Sequence, residues 1–275
     1  MVLCPLAAKA ENHAASAQEK PVPVWSVVAE RQKCRADRYW LISQPDQAGL
    51  SGELAANFAS PSFPSISPAM ARAIGAHDAG WRMFASESSL TAPPLLEGEG
   101  KPLAFVECGP SEFVRAWTAS IGQAEALSLA GGIIVSRHFC ALGNFRLRNS
   151  GGLSEADRRL IAAFTRDEGA RQQRLLAACS DSAAELDGWL EVLQFCDLLS
   201  LYLCSGAHRA AEFPQKMTAR PVQIRYAPGE ALYRLEPSPF QSGGQPRLVS
   251  LAVRARAYPF ANGNPELTTL TFNLV

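Results

Sequence analysis

LDGWLEVLQFCDLLSLYLC, residues 186–204, decides the fold class. Leu186, Leu190, Leu193, Leu201 and Cys204 recur at the three- and four-residue spacing that lines one face of a helix, and Asp197 alone interrupts that stripe. A lone carboxylate on a buried face is costly unless a cation, a proton or several donors meet it. The stretch therefore predicts both a core helix and a polar site within the core.

Working outward, the same helical texture covers most of the chain. Asp46 can cap a segment whose apolar residues Leu50, Leu54 and Phe58 recur every four. Ser67-Pro68 is a good helix start, because proline at the first helical position loses only an orphan donor, and that helix is expected to run to about Asp78. Further helices are expected from about Glu112, from Ala124 to Cys140, from Ser154 to about Ala178, and from Ser182 to Ser205. The segment SEAD at 154–157 reads as a capping start, with an acid three residues after the serine. Residues 84 to 102, rich in Ser, Pro and Gly, read as a loop.

Both ends differ from this body. Residues 1–36 show little periodicity apart from VPVWSVV at 22–28, a possible short strand, and are expected to form a mobile tail. Tyr39 to Ser43 reads as a strand leading into the first body helix. After Pro214, PVQIRYAPGEALYRLEP, RLVSLAVRARAYP and LTTLTFNLV alternate apolar and polar residues between Gly, Pro and Asn, the pattern of strands. The expectation is a mainly α chain: one domain over 37–275, with a helical body at about 37–210 and a small β-rich end at about 220–275.

Composition narrows the function classes. Acidic and basic residues balance at 26 each, so no global field draws the chain to nucleic acid or to an anionic membrane. Seven cysteines with no CxxC pair imply reduced thiols and a cytoplasmic location. No apolar run reaches membrane-spanning length, and residues 1–20 lack the basic and apolar regions of a signal peptide. The sequence has no GxSxG elbow, no Walker-type loop and no dinucleotide fingerprint.

Polar residues on apolar faces supply the candidate site. His77 follows Met70, Ala73 and Ile74 at helical spacing, His138 continues Leu127, Gly131 and Ile134, and Gln47 precedes Leu50 and Leu54. With Asp78 beside His77 and Asp197 on its own stripe, four helices each direct a polar group inward. Two imidazoles and carboxylates suit a divalent transition ion such as Mn²⁺, Fe²⁺ or Zn²⁺. Each residue has a plainer reading: a histidine hydrogen-bonded in the core, Asp78 ending a helix before Gly80, Asp197 paired with Arg137. Periodicity leaves both readings open.

GAHDAGW at 75–81, LISQPDQAGLSGELA at 41–55, VSRHF around His138 and LQFCDLLSLYLC around Asp197 together carry a resemblance. The chain resembles a bacterial domain-of-unknown-function family, number 3891, with an HDxGW signature, and that family looks like a distant branch of the HD-domain superfamily. The resemblance covers about residues 38 to 275. It implies an HD-like helical core in which His77 and Asp78 match the HD pair, Asp197 the closing aspartate and His138 an added histidine. Where relatives read roughly QPDHA this chain reads QPDQA, so Gln47 stands where a histidine ligand is expected. A neutral amide oxygen is a weaker ligand than imidazole for a transition metal.

The function so implied is a metal-dependent phosphohydrolase acting on a phosphoester or nucleotide. His77, Asp78, His138 and Asp197, with Gln47 as a weak fifth ligand, would hold Fe, Mn or Zn, and Asp78, Arg82 and Arg137 would serve the reaction. The alternative is a degenerate HD-fold binding or sensory module, with a di-iron oxygenase at lower weight. The expected partner is a small-molecule substrate, and exposed strand edges could pair two copies of the chain.

Overall fold

A computed structural model describes residues 1–6, 20–59, 64–88, 92–97, 100–149, 151–215, 220–260 and 264–275. The N-terminal part contributes β1 (Val2–Leu6), β2 (Val22–Pro23), α1 (Val24–Lys33) and β3 (Arg38–Ile42). The helical part follows with α2 (Gln44–Ala56), α3 (Pro68–Gly75), a 3-10 turn (Ala79–Met83), α4 (Ala85–Ser88), α5 (Pro110–Leu127), α6 (Leu129–Arg148), α7 (Glu155–Ala178) and α8 (Ala183–Cys204). The chain then returns to strands: β4 (Ala211–Glu212), β5 (Gln223–Ala227), β6 (Leu232–Glu236), β7 (Gln241–Ser242), β8 (Gln245–Pro246), β9 (Val249–Tyr258) and β10 (Leu267–Leu274).

The sheet overturns the expectation of a mainly α chain with an HD-like helical core and a small β-rich end. Eight strands in the order β1-β3-β9-β10-β6-β5-β4-β2 form one sheet that curls into a half-barrel. With 52% helix and 20% strand the architecture is mixed α/β, not all-α. The physical reason is non-local pairing. β9 alternates buried Val249, Leu251, Val253 and Ala255 with exposed Ser250, Ala252 and Arg254, a pattern visible in the sequence. What the pattern does not name is the partner: β3 joins β9 with Tyr39 opposite Tyr258, and β1 then adds antiparallel to β3.

The expected tail over residues 1–36 is likewise corrected for the parts described. Val2 and Leu3 are fully buried, and Gln32 on α1, also fully buried, donates to the Leu3 carbonyl (2.9 Å) and accepts from the Leu3 N–H (2.8 Å). VPVWSVV is only briefly a strand: Val24, Val27 and Val28 are buried at helical spacing on α1, so tertiary packing overrides their β preference. Residues 7–19 lie outside the described residues.

Within the helical part, α8 lies against α2 and α6, and α2 also lies against β9. Most expected helices are present, with two boundary changes. The stretch expected to be one helix from Ala124 is divided at Ser128, whose hydroxyl caps α6 by accepting from Gly131 N at 2.9 Å. Leu127 therefore belongs to another helix and is exposed, while Gly131, Ile134 and His138 stay buried. The helix expected to reach Asp78 ends at Gly75. The loop expected over 84–102 includes α4 and a bridge between Leu96 and Pro102, and residues 89–91 and 98–99 lie outside the described residues.

Two glycines fix the helices around the site. A Cβ on Gly52 would stand 2.7 Å from the Ala71 carbonyl, so α2 and α3 cross at a distance only glycine permits. A Cβ on Gly80 would stand 2.1 Å from the Ala116 carbonyl, which presses the 3-10 turn onto α5. No described helix is long and apolar enough to cross a membrane, and all seven cysteines are free.

Candidate metal centre

Four elements deliver the site. On α2, Ser43 accepts from Asp46 N at 3.0 Å and Pro45 follows in the first turn, an N-terminus that leaves Gln47 one turn in and fully buried. Where α3 ends, the chain continues through Ala76 into His77 and Asp78, which are 1% and 8% exposed. His138 comes from the middle of α6 and Asp197 from the middle of α8. The structure thus brings together five of the residues expected from the sequence.

His77 is the pivot. Its Nδ1 stands 2.8 Å from the Ile74 carbonyl, which can only accept, so Nδ1 carries a proton. Nε2 then points at Asp197 Oδ1 (3.3 Å) and Asp78 Oδ2 (3.8 Å), while His138 Nε2 stands 3.6 Å from Asp197 Oδ2. A neutral His77 would direct a lone pair at two carboxylates, so a positive charge belongs between them, either a proton or a bound cation. The pKa shifts have the same origin. Burial pushes His77 down, but the hydrogen bond and charge of Asp197, backed by Asp78, raise it to about 9. Burial drives Asp78 up to about 7 against the pull of His77, and drives His138 down to about 4. Burial also pushes Asp197 upward, yet His77 and His138 hold it below the usual carboxylate range.

Spacing helps to distinguish the two charges. Hydrogen bonds between an imidazolium and a carboxylate run at about 2.7–2.9 Å. Two ligands about 2.1 Å from one ion stand about 3.0 Å apart at right angles and about 3.4 Å apart at tetrahedral corners. The 3.3 Å separation is long for the first and falls within the second, while 3.6 and 3.8 Å exceed both. Among the described residues, however, no group of three His, Cys, Asp or Glu side chains could hold an ion as they stand. The match is confined to the pair His77 and Asp197.

Residues that the helical stripes did not single out complete the surroundings. Gln47 Nε2 donates to Asp197 Oδ1 at 3.1 Å and to Ser200 Oγ, Ser200 Oγ in turn donates to the Asp197 carbonyl at 2.8 Å, and Ser51 Oγ lies 2.8 Å from Ser200 Oγ. Gln47 therefore presents its amide nitrogen, a donor, to the carboxylate, while its Oε1 and His138 Nδ1 are buried without hydrogen-bond partners. Ser51 and Ser200 were legible in principle, as polar residues one turn from Gln47 and Asp197 on the same helix faces.

The two arginines expected at the site are elsewhere. Arg137 pairs with Asp187 at 2.9 Å, not with Asp197. It follows from helical phase, since the residue beside His138 on α6 faces about 100° away from it. Arg82 is exposed in an open groove beside Arg72, Ala76 and Ala79.

A family model described as "Protein of unknown function (DUF3891)" matches residues 32–255. The chain belongs to this family. The match to DUF3891 spans α2 to α8 and most of the sheet, and so includes every residue of the cluster. No curated protein matches the chain, and no solved structure does.

Proposed function

We propose that His77, Asp78, His138 and Asp197 hold a divalent transition ion, and that this DUF3891 chain is a metal-dependent hydrolase of phosphoesters. The observation that carries the reading is His77: its Nδ1 is committed to a backbone carbonyl and its Nε2 faces two buried carboxylates, a set of acceptors that calls for a cation. The ligand chemistry, two imidazoles and two carboxylates, suits Fe²⁺, Mn²⁺ or Zn²⁺. Because no three groups surround one point as they stand, binding would draw Asp78 and Asp197 inward. Those are also the members reached by solvent, with side chains 11% and 13% exposed.

A bound ion would supply Lewis-acid activation of water and of a phosphoryl oxygen. The chain's own contribution is to fix the histidine tautomer through Ile74, to orient the Asp197 carboxylate through Gln47, whose amide nitrogen also donates to Ser200, and to keep the site nearly dry. The phosphoester class rests on the metal reading alone, because a Lewis-acidic ion is suited to polarising a phosphoryl oxygen; no guanidinium at the cluster adds to it, since Arg137 is engaged by Asp187.

One observation favours a second reading, a metal-free binding module: Gln47 offers Asp197 a donor where an ion would be. Elemental analysis of protein purified without chelator, beside His77→Ala, separates the two. An equivalent of Fe, Mn or Zn that is lost in the variant supports the metal site, and turnover of a generic aryl phosphodiester with added Mn²⁺ supports the hydrolase. Protein that takes up none of the three ions on incubation refutes both the site and the activity.

A further inference from the structure

Asp78 occupies the cap position of the 3-10 turn, where an aspartate ordinarily accepts from a backbone N–H two or three residues on. It makes no such bond. Its Oδ1 accepts instead from Trp81 Nε1 at 3.1 Å, which leaves Oδ2 facing His77. The indole cannot readily swing away: Trp81 is 3% exposed, with Phe84 and Phe113 at ring-centroid distances of 5.5 and 5.4 Å. Gly80, just before it, is pressed against α5 and donates its N–H to Ser120 Oγ at 2.9 Å.

We propose that Trp81 is a positioning residue of the ion site, its indole N–H holding Asp78 as a ligand through one oxygen. This rests on the metal reading of the cluster. An indole that needed only an acceptor would be equally satisfied by a backbone carbonyl. Here it draws a carboxylate away from capping its own turn and fixes which oxygen faces His77. Trp81 leaves the Asp78 oxygen that faces His77 free, whereas Gln47 donates to the Asp197 oxygen that faces His77, and the HDAGW motif becomes one device: two ligands, a close-contact glycine and the donor that aims the second ligand.

The test compares wild type, Trp81→Phe and Ser120→Ala for Zn²⁺ affinity, measured by competition with a chromophoric chelator, with thermal melts alongside. Trp81→Phe is expected to weaken Zn²⁺ binding by roughly 10- to 100-fold, the usual cost of losing a group that orients a ligand. Ser120→Ala, which loosens the same turn without touching Asp78, should lower the melting temperature and leave affinity unchanged. Wild-type affinity in Trp81→Phe overturns the role of the indole alone, whereas a wild-type chain that binds no Zn²⁺ overturns the metal reading with it. Should Trp81→Phe fail to fold, wild-type protein labelled with ¹⁵N-indole decides. One of the five tryptophan N–H signals is expected to shift on Zn²⁺ addition, and five unmoved signals overturn the proposal.

Discussion

Gly80→Ala tests whether the turn carrying His77, Asp78 and Trp81 is set by its contact with α5. The new methyl would stand 2.1 Å from the Ala116 carbonyl, 2.7 Å from Ser120 N and 2.9 Å from Ala119 Cβ. The two nearest are backbone atoms of a helix, which cannot rotate away as a flexible side chain could. Overpacking of this kind costs about 1–3 kcal/mol. If the turn lifts to relieve it, the buried bond from Gly80 N to Ser120 Oγ is lost as well, for about 1 kcal/mol more. A total of about 3 kcal/mol corresponds to a fall in melting temperature of roughly 6–12 °C for a chain of this size. The assay is thermal and urea unfolding beside Gly49→Ala, a helical glycine with nothing within 4 Å of its would-be Cβ. That control should gain up to about 1 kcal/mol from helix propensity. A Gly80→Ala melting temperature within 1 °C of wild type would refute the close-contact account of the turn.

The remaining expectations concern the anchor, the site and the arginine. Gln32→Ala strands the buried N–H and carbonyl of Leu3, so stability should fall by about 2–4 kcal/mol and the β1 amides should lose exchange protection; unchanged protection would show that β1 does not depend on Gln32. Gln47→His replaces a neutral amide with imidazole beside Asp197 and should tighten Zn²⁺ binding by at least about tenfold; weaker binding would make the amide donor, not the missing histidine, the determinant at that position. Arg137→Ala removes a pair whose acid, Asp187, is 72% exposed, so stability should change by less than about 1 kcal/mol and phosphodiester turnover should not change; a loss of turnover would restore Arg137 to the site.

The cluster itself was legible because it needed only local information. His138, Gln47 and Asp197 each break an apolar stripe on one helix, and helical geometry alone sends such residues inward; His77 lies two residues past the end of α3 but keeps the phase of its stripe. The approach of His77, His138 and Gln47 to within 3.1–3.6 Å of Asp197 was not legible, because it depends on how α2, α3, α6 and α8 cross. Arg137 shows the limit at its narrowest: one residue from His138 in sequence, it lies on another face of α6.

The sequence by itself determined α2, α3, α5, α7 and α8 to within a few residues, with starts at Ser67, Ser154 and Ser182, since caps and 3.6-residue periodicity are properties of the local chain, although the cap of α2 is Ser43 and not Asp46. It also determined the alternation of β9 and the inward polar residues. Only the tertiary structure decided that the chain is α/β. Strand pairing joins residues more than 200 positions apart, as Tyr39 with Tyr258, and the short apolar run VLCPL becomes a buried strand only when β3 and Gln32 supply its hydrogen bonds. A backbone donor records in its own sequence that it needs a partner, never which one.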